Sequence, residues 1–239
     1  MHMNNDALVE VQDLYVGYYR DLHILRGVNM RARQGTITSI LGANGVGKST
    51  LLKAIFGFLT PDHGSITFNS RNLIGIKPHK MVYEGITYIP QEPSIFDDMS
   101  VEENLEMGGW PFRNDHSRVR SKIEENYQRF PDLWEKRRQK AGELSGGQQR
   151  MVEIGRALMT DPQLMLVDEP SAGLAKLLTA EMYKLIAGLR EEGKTIILVD
   201  QDIRQALGVS DYVYVLDLGR NRYDGPAKEF TDLEKTFWS

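Results

Sequence analysis

Residues 42 to 50 read G-A-N-G-V-G-K-S-T, and no other stretch limits so tightly what this chain can fold into. The run fits Gly-x-x-x-x-Gly-Lys-Ser/Thr, with Gly42, Gly47, Lys48 and Ser49 at the fixed places. Before it, residues 36–41 (TITSIL) form a short β-branched, apolar run that predicts a buried strand. After it, residues 51–59 carry good helix formers. Strand, glycine loop and helix is the context the pattern requires. Gly42, Gly45 and Gly47 let the backbone curl until successive N–H groups converge on phosphate oxygens. The following helix adds its positive end, Lys48 reaches the β- and γ-phosphates, and the Ser49 hydroxyl is a ligand for Mg²⁺. Asn44 and Thr50 belong to the same nucleotide-binding loop. A mere glycine-rich turn would match the four fixed positions by chance on the order of one time in a hundred.

Such a loop needs a core behind it. The 239 residues, 41% hydrophobic and 26% charged, allow one large domain or two small ones. The net charge of −4 gives no global basic field for nucleic acid. With no cysteine, disulfides and thiolate metal sites are excluded, which fits a reducing compartment. The start, M-H-M-N-N-D-A, lacks the basic-then-apolar order of a secretory signal, and no run approaches the ~18 apolar residues of a membrane span. A membrane role would have to come through partners.

Strands are predicted at residues 7–18, 24–32, 36–41, 65–68 and 86–89. Tyr18 and Tyr19 close the first of these. Adjacent strand residues face opposite ways, so only one could stack on a base, and spacing leaves stacking and core packing equally open. The fifth strand ends at Pro90-Gln91, a position where glutamine can meet a ligand in a parallel sheet, although most such glutamines are simply solvated. A loop follows, with Ile95 and Phe96 expected to be exposed, before a capping box at Ser100 and Glu103. From about 100 to 160 the pattern is helical: 101–107, 117–130 and 145–159. The basic run 134–140 reads as a solvated helix face.

This stretch contains L-S-G-G-Q at 144–148, where Ser145 is a natural N-cap and two glycines leave backbone N–H groups bare. It makes a second anion site in a chain that already has one. Residues 164–167 (LMLV) form a fully apolar strand that ends in Asp168-Glu169. Beside a phosphate loop, Asp168 facing Mg²⁺ and Glu169 polarising a water explain two carboxylates better than a chance acidic turn does. A helix over 174–190 stops at Gly193, and the buried strand 195–199 ends in Asp200-Gln201-Asp202. Residues 211–216 and the segment around Arg222-Tyr223 read as closing edge strands. The tail from 230 is short and amphipathic, with Trp238 read as a packing residue.

In this order, the phosphate loop, Gln91, L-S-G-G-Q and L-M-L-V-D-E resemble the nucleotide-binding subunits of ABC transporters over essentially the whole chain. The resemblance implies an α/β P-loop NTPase with a RecA-like core, an N-terminal antiparallel β subdomain and a helical subdomain inserted at about 92–160 of a single 1–239 domain. It implies ATP and Mg²⁺ as cofactors and head-to-tail pairing with a second ATP-binding subunit. Ser145, Gly146, Gly147 and Gln148 would complete the partner's nucleotide site. By the same resemblance Ser49, Gln91 and Asp168 serve the metal, Glu169 is the general base, Gln201 stands where the family usually has histidine, and Tyr19 stacks on the base. Arg20 replaces the glycine that usually follows that aromatic. Integral membrane permease subunits would be direct partners and an extracytoplasmic solute-binding protein an indirect one, with the chain at the cytoplasmic face of the membrane and no nucleic acid involved.

Two departures narrow the subgroup. P-S-A-G-L-A-K puts Ala175 where aspartate is common, and V-D-Q-D carries Gln201. Both resemble the LivF-type ATPases of branched-chain amino acid importers, as do M-S-V-E-E-N-L-E-M-G-G, R-F-P-D-L and G-R-A-L-M. In contrast, Y-I-P-Q-E-P-S-I-F resembles the ATPase of lipopolysaccharide export, which carries histidine at the place of Gln201. The alternatives are therefore a lipid or lipopolysaccharide exporter and a soluble ABC ATPase of repair or translation. Against the latter stand the single cassette and the acidic balance. A GTPase would need Asn/Thr-Lys-x-Asp, and the chain has no Lys-x-Asp.

Overall fold

The computed structural model describes residues 7–19 and 22–230. Arg20, Trp238 and the rest of the tail after 230 lie outside the described residues. Two sheets organise the chain. Strands β1 (Ala7–Tyr19) and β2 (Leu22–Arg33) pair antiparallel, and β3 (Ile37–Leu41) leads through the glycine loop into helix α1 (Lys48–Ile55). Next come β4 (His63–Phe68), the short β5 (Arg71–Asn72), α2 (Pro78–Met81) and β6 (Ile86–Ile89). The chain is then helical through α3 (Val101–Gly108), α4 (His116–Arg129), α5 (Pro131–Glu135) and α6 (Gly146–Leu158). It closes with β7 (Leu164–Asp168), α7 (Lys176–Glu191), β8 (Thr195–Val199), α8 (Ile203–Val209), β9 (Tyr212–Asp217) and β10 (Arg220–Pro226).

The first sheet is antiparallel, in the order β2-β1-β4-β5, and the second runs β10-β9-β3-β8-β7-β6. All neighbours in the second sheet are parallel except β10 on β9. A parallel sheet must be covered on both faces, which accounts for the uninterrupted burial of β3, β7 and β8. On one face Ile40, Leu166 and Ile197 pack with α1 and the antiparallel sheet. On the other, Leu41, Val167 and Leu198 pack with α3, α6 and α7. The strand order places the ends of β3, β8, β7 and β6 side by side. Ligands of open α/β sheets bind at such carboxyl ends.

Several boundaries differ from the sequence reading. Helix α1 starts at Lys48 rather than 51 and ends at Ile55, because Gly57 adopts a left-handed φ of 81° that stops the turn. Helix α7 begins at Lys176, leaving Leu174 and Ala175 in the preceding loop. Strand β9 is not an edge, since it pairs with both β3 and β10. Both capping boxes, Ser100 with Glu103 and Ser145 with Gln148, are formed.

Candidate functional site

Four segments leaving parallel strands build the site. After β3, the loop turns at Gly42, Gly45 and Gly47, with φ of 149°, 81° and 109°. At Gly42 space adds to the constraint, because a Cβ would sit 2.5 Å from the Leu216 carbonyl oxygen. Lys48 is buried, and its ammonium donates to the carbonyls of Gly42 and Ala43 at 2.9 and 3.0 Å. Burial pushes its pKa down, against the opposing charges of Glu169, Asp168 and Asp200. Ser49 Oγ donates to Asp168 Oδ1 at 2.9 Å. Asn44 reaches across to Gln201 Oε1 at 3.4 Å, and Thr50 is buried behind the loop.

The two carboxylates after β7 have different surroundings. Asp168 is buried between Ser49 and Tyr88, whose hydroxyl donates to Oδ2 at 3.0 Å. Burial raises the Asp168 pKa, while those two hydrogen bonds and the nearby lysines oppose the rise. Glu169 has a left-handed φ of 45°, a conformation that costs a non-glycine residue about 1–2 kcal/mol. Its N–H donates to the Val199 carbonyl at 2.7 Å, and its carboxylate accepts from Gln201 Nε2 at 2.6 Å. It is 7% exposed, and burial again lifts its pKa.

The remaining predicted residues are not all drawn together. Gln91 lies exposed after β6, and among the described residues no hydrogen bond joins its side chain to Ser49 or Asp168. Ser145, Gly146, Gly147 and Gln148 open α6, where Ser145 Oγ accepts from the Gln148 N–H at 3.4 Å. No hydrogen bond among the described residues links this cap to residues 42–50, so the chain carries two separate helix N-termini suited to anions. Tyr18 and Tyr19 are both exposed, contrary to strict alternation, because the pairing register of β1 shifts between Gly17 and Tyr19. Lys53 engages the Tyr18 ring at 5.8 Å, whereas the Tyr19 ring is 75% exposed. Ile95 also departs from expectation. It is half-buried against the helical cluster, and only Phe96 of that pair is exposed, at 42%.

Three site residues escaped the sequence reading. Tyr88 closes one side of Asp168. Arg150, 2% exposed, donates to the carbonyls of Pro90, Gln91 and Glu169 at 2.7, 2.8 and 3.4 Å and pairs with Glu153 at 2.5 Å. Asp200 is buried at the end of β8. One signal existed for Arg150: it occupies the apolar face of α6 with Gly147 and Ile154, at three- and four-residue steps.

Beside the glycine loop, the Ser49 hydroxyl and the Asp168 carboxylate bring two oxygen ligands together. Such a set suits a hard cation like Mg²⁺, which takes few protein ligands and completes its shell with water and phosphate. No cluster of three or more His, Cys, Asp or Glu among the described residues could hold a metal by itself.

A P-loop nucleotide-hydrolysing fold is thereby defined. The comparisons give the family: the ABC transporter family model matches residues 25–172, and the chain belongs to that family. Over 203 residues it is 40% identical to the high-affinity branched-chain amino acid transport ATP-binding protein BraG of Pseudomonas aeruginosa, covering 85% of this chain and 86% of that one. It is 32% identical to the lipopolysaccharide export system ATP-binding protein LptB of Acidithiobacillus ferridurans, over 94% and 92% of the two chains. A nucleotide-free ATP-binding cassette from an ABC transporter, solved by crystallography, superposes with a TM-score of 0.85 at 30% identity over 96% of this chain and 95% of that one. The chain is the ATP-binding subunit of an ABC transporter, an ATPase. No helix among the described residues is long and apolar enough to cross a membrane.

Proposed function

We propose that this subunit powers import of branched-chain amino acids or related solutes, acting as a peripheral subunit at the cytoplasmic face of its membrane. The observation carrying this reading is the 40% identity to BraG over most of both chains. A second reading, lipid or lipopolysaccharide export, draws on the 32% identity to LptB and on the Y-I-P-Q-E-P-S-I-F stretch. Co-purification from gently solubilised membranes, with partners identified by mass spectrometry, separates the two. Two related permeases, a second ATPase and an associated solute-binding protein are expected. Lipopolysaccharide-export membrane proteins in their place would overturn the import reading.

In the mechanism we favour, loop N–H groups and Lys48 hold the β- and γ-phosphates of ATP, with Lys48 released from the carbonyls of Gly42 and Ala43. Ser49, Asp168 and Gln91 would hold Mg²⁺, which would neutralise charge on the phosphates. Tyr19 stacks on the base. Glu169 accepts the proton of the attacking water, and Gln201 orients that carboxylate. The second N–H of the Gln201 amide remains available to a γ-phosphate oxygen. Ser145, Gly146, Gly147 and Gln148 close the site of a second ATP-binding subunit, and that subunit's equivalent cap closes this one.

If Gln201 acts in this way, Gln201→Ala should lower kcat about tenfold while leaving the KM for ATP near wild type. Steady-state ATPase assays decide this, and an unchanged kcat would remove Gln201 from the mechanism. We place the docking of the permease's cytoplasmic helix on the loop from Pro93 to Met99, where Phe96 borders a cleft of about 420 Å³ also lined by Tyr83, Tyr88, Trp110 and Arg156. Asn104 holds the 96–100 turn at its rim, bonding both the N–H and the carbonyl of Phe96. Phe96→Ala should weaken complex assembly and coupled transport. Intact assembly and transport in that variant would refute the docking assignment.

A further inference from the structure

We infer that Asp200 is a positioning residue that sets Gln201 against Glu169 and locks that pair to the 170–175 segment. The inference rests on the proposed roles of Glu169 and Gln201. Asp200 directly follows β8 and is 2% exposed, and it takes no direct part in the proposed hydrolysis. A carboxylate so buried needs donors, and it has them from two chain segments. Oδ1 accepts from the N–H of Gln201 at 2.7 Å and of Asp202 at 3.0 Å. The Ser171 hydroxyl lies 3.1 and 3.0 Å from the two carboxylate oxygens and donates to them. Tyr183 of α7 packs close by. Burial, and then the Asp200 charge, push its phenol pKa up.

The consequence is geometric. Ser171 lies two residues after Glu169, and Gln201 follows Asp200 directly. One carboxylate therefore anchors the chain just beyond the proton acceptor and the backbone of the residue whose amide holds that acceptor. Asp202, held by the same oxygen, is itself the N-cap of α8 and accepts from the Gln205 N–H at 3.1 Å. The turn is thus braced on its far side as well. A local turn would explain the two backbone bonds alone. The bond from Ser171, across from β7, gives Asp200 a reach beyond its own turn. Misplacing a catalytic pair by about 1 Å can cost on the order of 10²-fold in rate, so this brace acts on kcat rather than on ATP binding.

The experiment is a double-mutant cycle on ATP hydrolysis by the chain purified with its permease partners. It is accompanied by binding of a non-hydrolysable ATP analogue and by thermal melting. Asp200→Ala is expected to lower kcat about tenfold, with KM and analogue affinity near wild type. Asp200→Asn keeps an acceptor oxygen for both N–H groups and should stay within about threefold of wild type. Combined with Gln201→Ala, Asp200→Ala should add no further loss, because both act on one contact. Should Asp200→Ala fail to fold, Ser171→Ala tests the same brace, with a severalfold kcat loss that is again non-additive with Gln201→Ala. Losses that multiply, an Asp200→Asn variant as slow as Asp200→Ala, or a Ser171→Ala variant at wild-type kcat would overturn the inference while leaving the role of Gln201 standing. A wild-type rate for Gln201→Ala would overturn both.

Discussion

Glu169→Gln is expected to bind ATP, turn over at least about 10²-fold more slowly than wild type, and accumulate as an ATP-bound dimer. General-base assistance is worth ~10²–10⁴ in rate, and the substitution removes the proposed base while preserving its shape. Glutamine keeps an oxygen that can accept the 2.6 Å hydrogen bond from Gln201 and a backbone N–H that can reach Val199, so the site should remain assembled. It also removes one negative charge beside the proposed γ-phosphate position, which favours retention of ATP. The raised pKa of Glu169 fits the same role, since burial brings a carboxylate closer to the basicity that proton abstraction near neutral pH requires. Single-turnover hydrolysis and size-exclusion chromatography with MgATP read both halves of the prediction. Hydrolysis at near wild-type rate would place the proton acceptor elsewhere.

The largest stability effect is expected at Arg150. Its guanidinium and the Glu153 carboxylate are each 2% exposed and 2.5 Å apart. Removing one member of such a pair costs about 3–5 kcal/mol, because the other charge stays buried and unpaired. The carbonyls of Pro90, Gln91 and Glu169 would lose a donor in the same change, while Glu153 would keep only the Ser94 N–H and hydroxyl on Oε1. For a chain of this size Arg150→Ala should lower the melting temperature on the order of 10 °C. Replacing both partners by apolar residues, Arg150→Met with Glu153→Leu, should recover part of that loss, since no lone charge remains. Calorimetry of the two variants compares them directly. If the single substitution melted within a degree or two of wild type, the pair would not be the structural tie its burial implies.

Much of the fold was legible because it is written in short periods. Fully apolar runs at the positions of β3, β7 and β8 mark strands covered on both faces, and the Ser-x-x-Glu and Ser-x-x-Gln starts of α3 and α6 mark helix ends. The errors have local physical causes. Helix α1 stops early at a left-handed glycine, and β9 reads as an edge from sequence because nothing in its composition records its pairing with β3. Ile95 looked exposed because loop position alone does not reveal the helical cluster beneath it. Tyr18 and Tyr19 share exposure because an irregular register breaks strict alternation.

What the sequence by itself determined is the chemistry of the parts: a phosphate loop ending in Lys48 and Ser49, a glycine helix start at Ser145, and carboxylates at the end of an apolar strand. These depend on backbone conformation and residue type over a few neighbouring positions, which a single stretch can specify. Only the tertiary structure decided which parts meet. Tyr88 caps Asp168 because β6 lies beside β7, and Gln201 holds Glu169 because β8 lies on the other side of β7. Arg150 reaches three carbonyls because α6 packs over the ends of both β6 and β7. Such partnerships follow strand order and helix packing, which arise from burying the whole apolar surface at once, and no local spacing carries them.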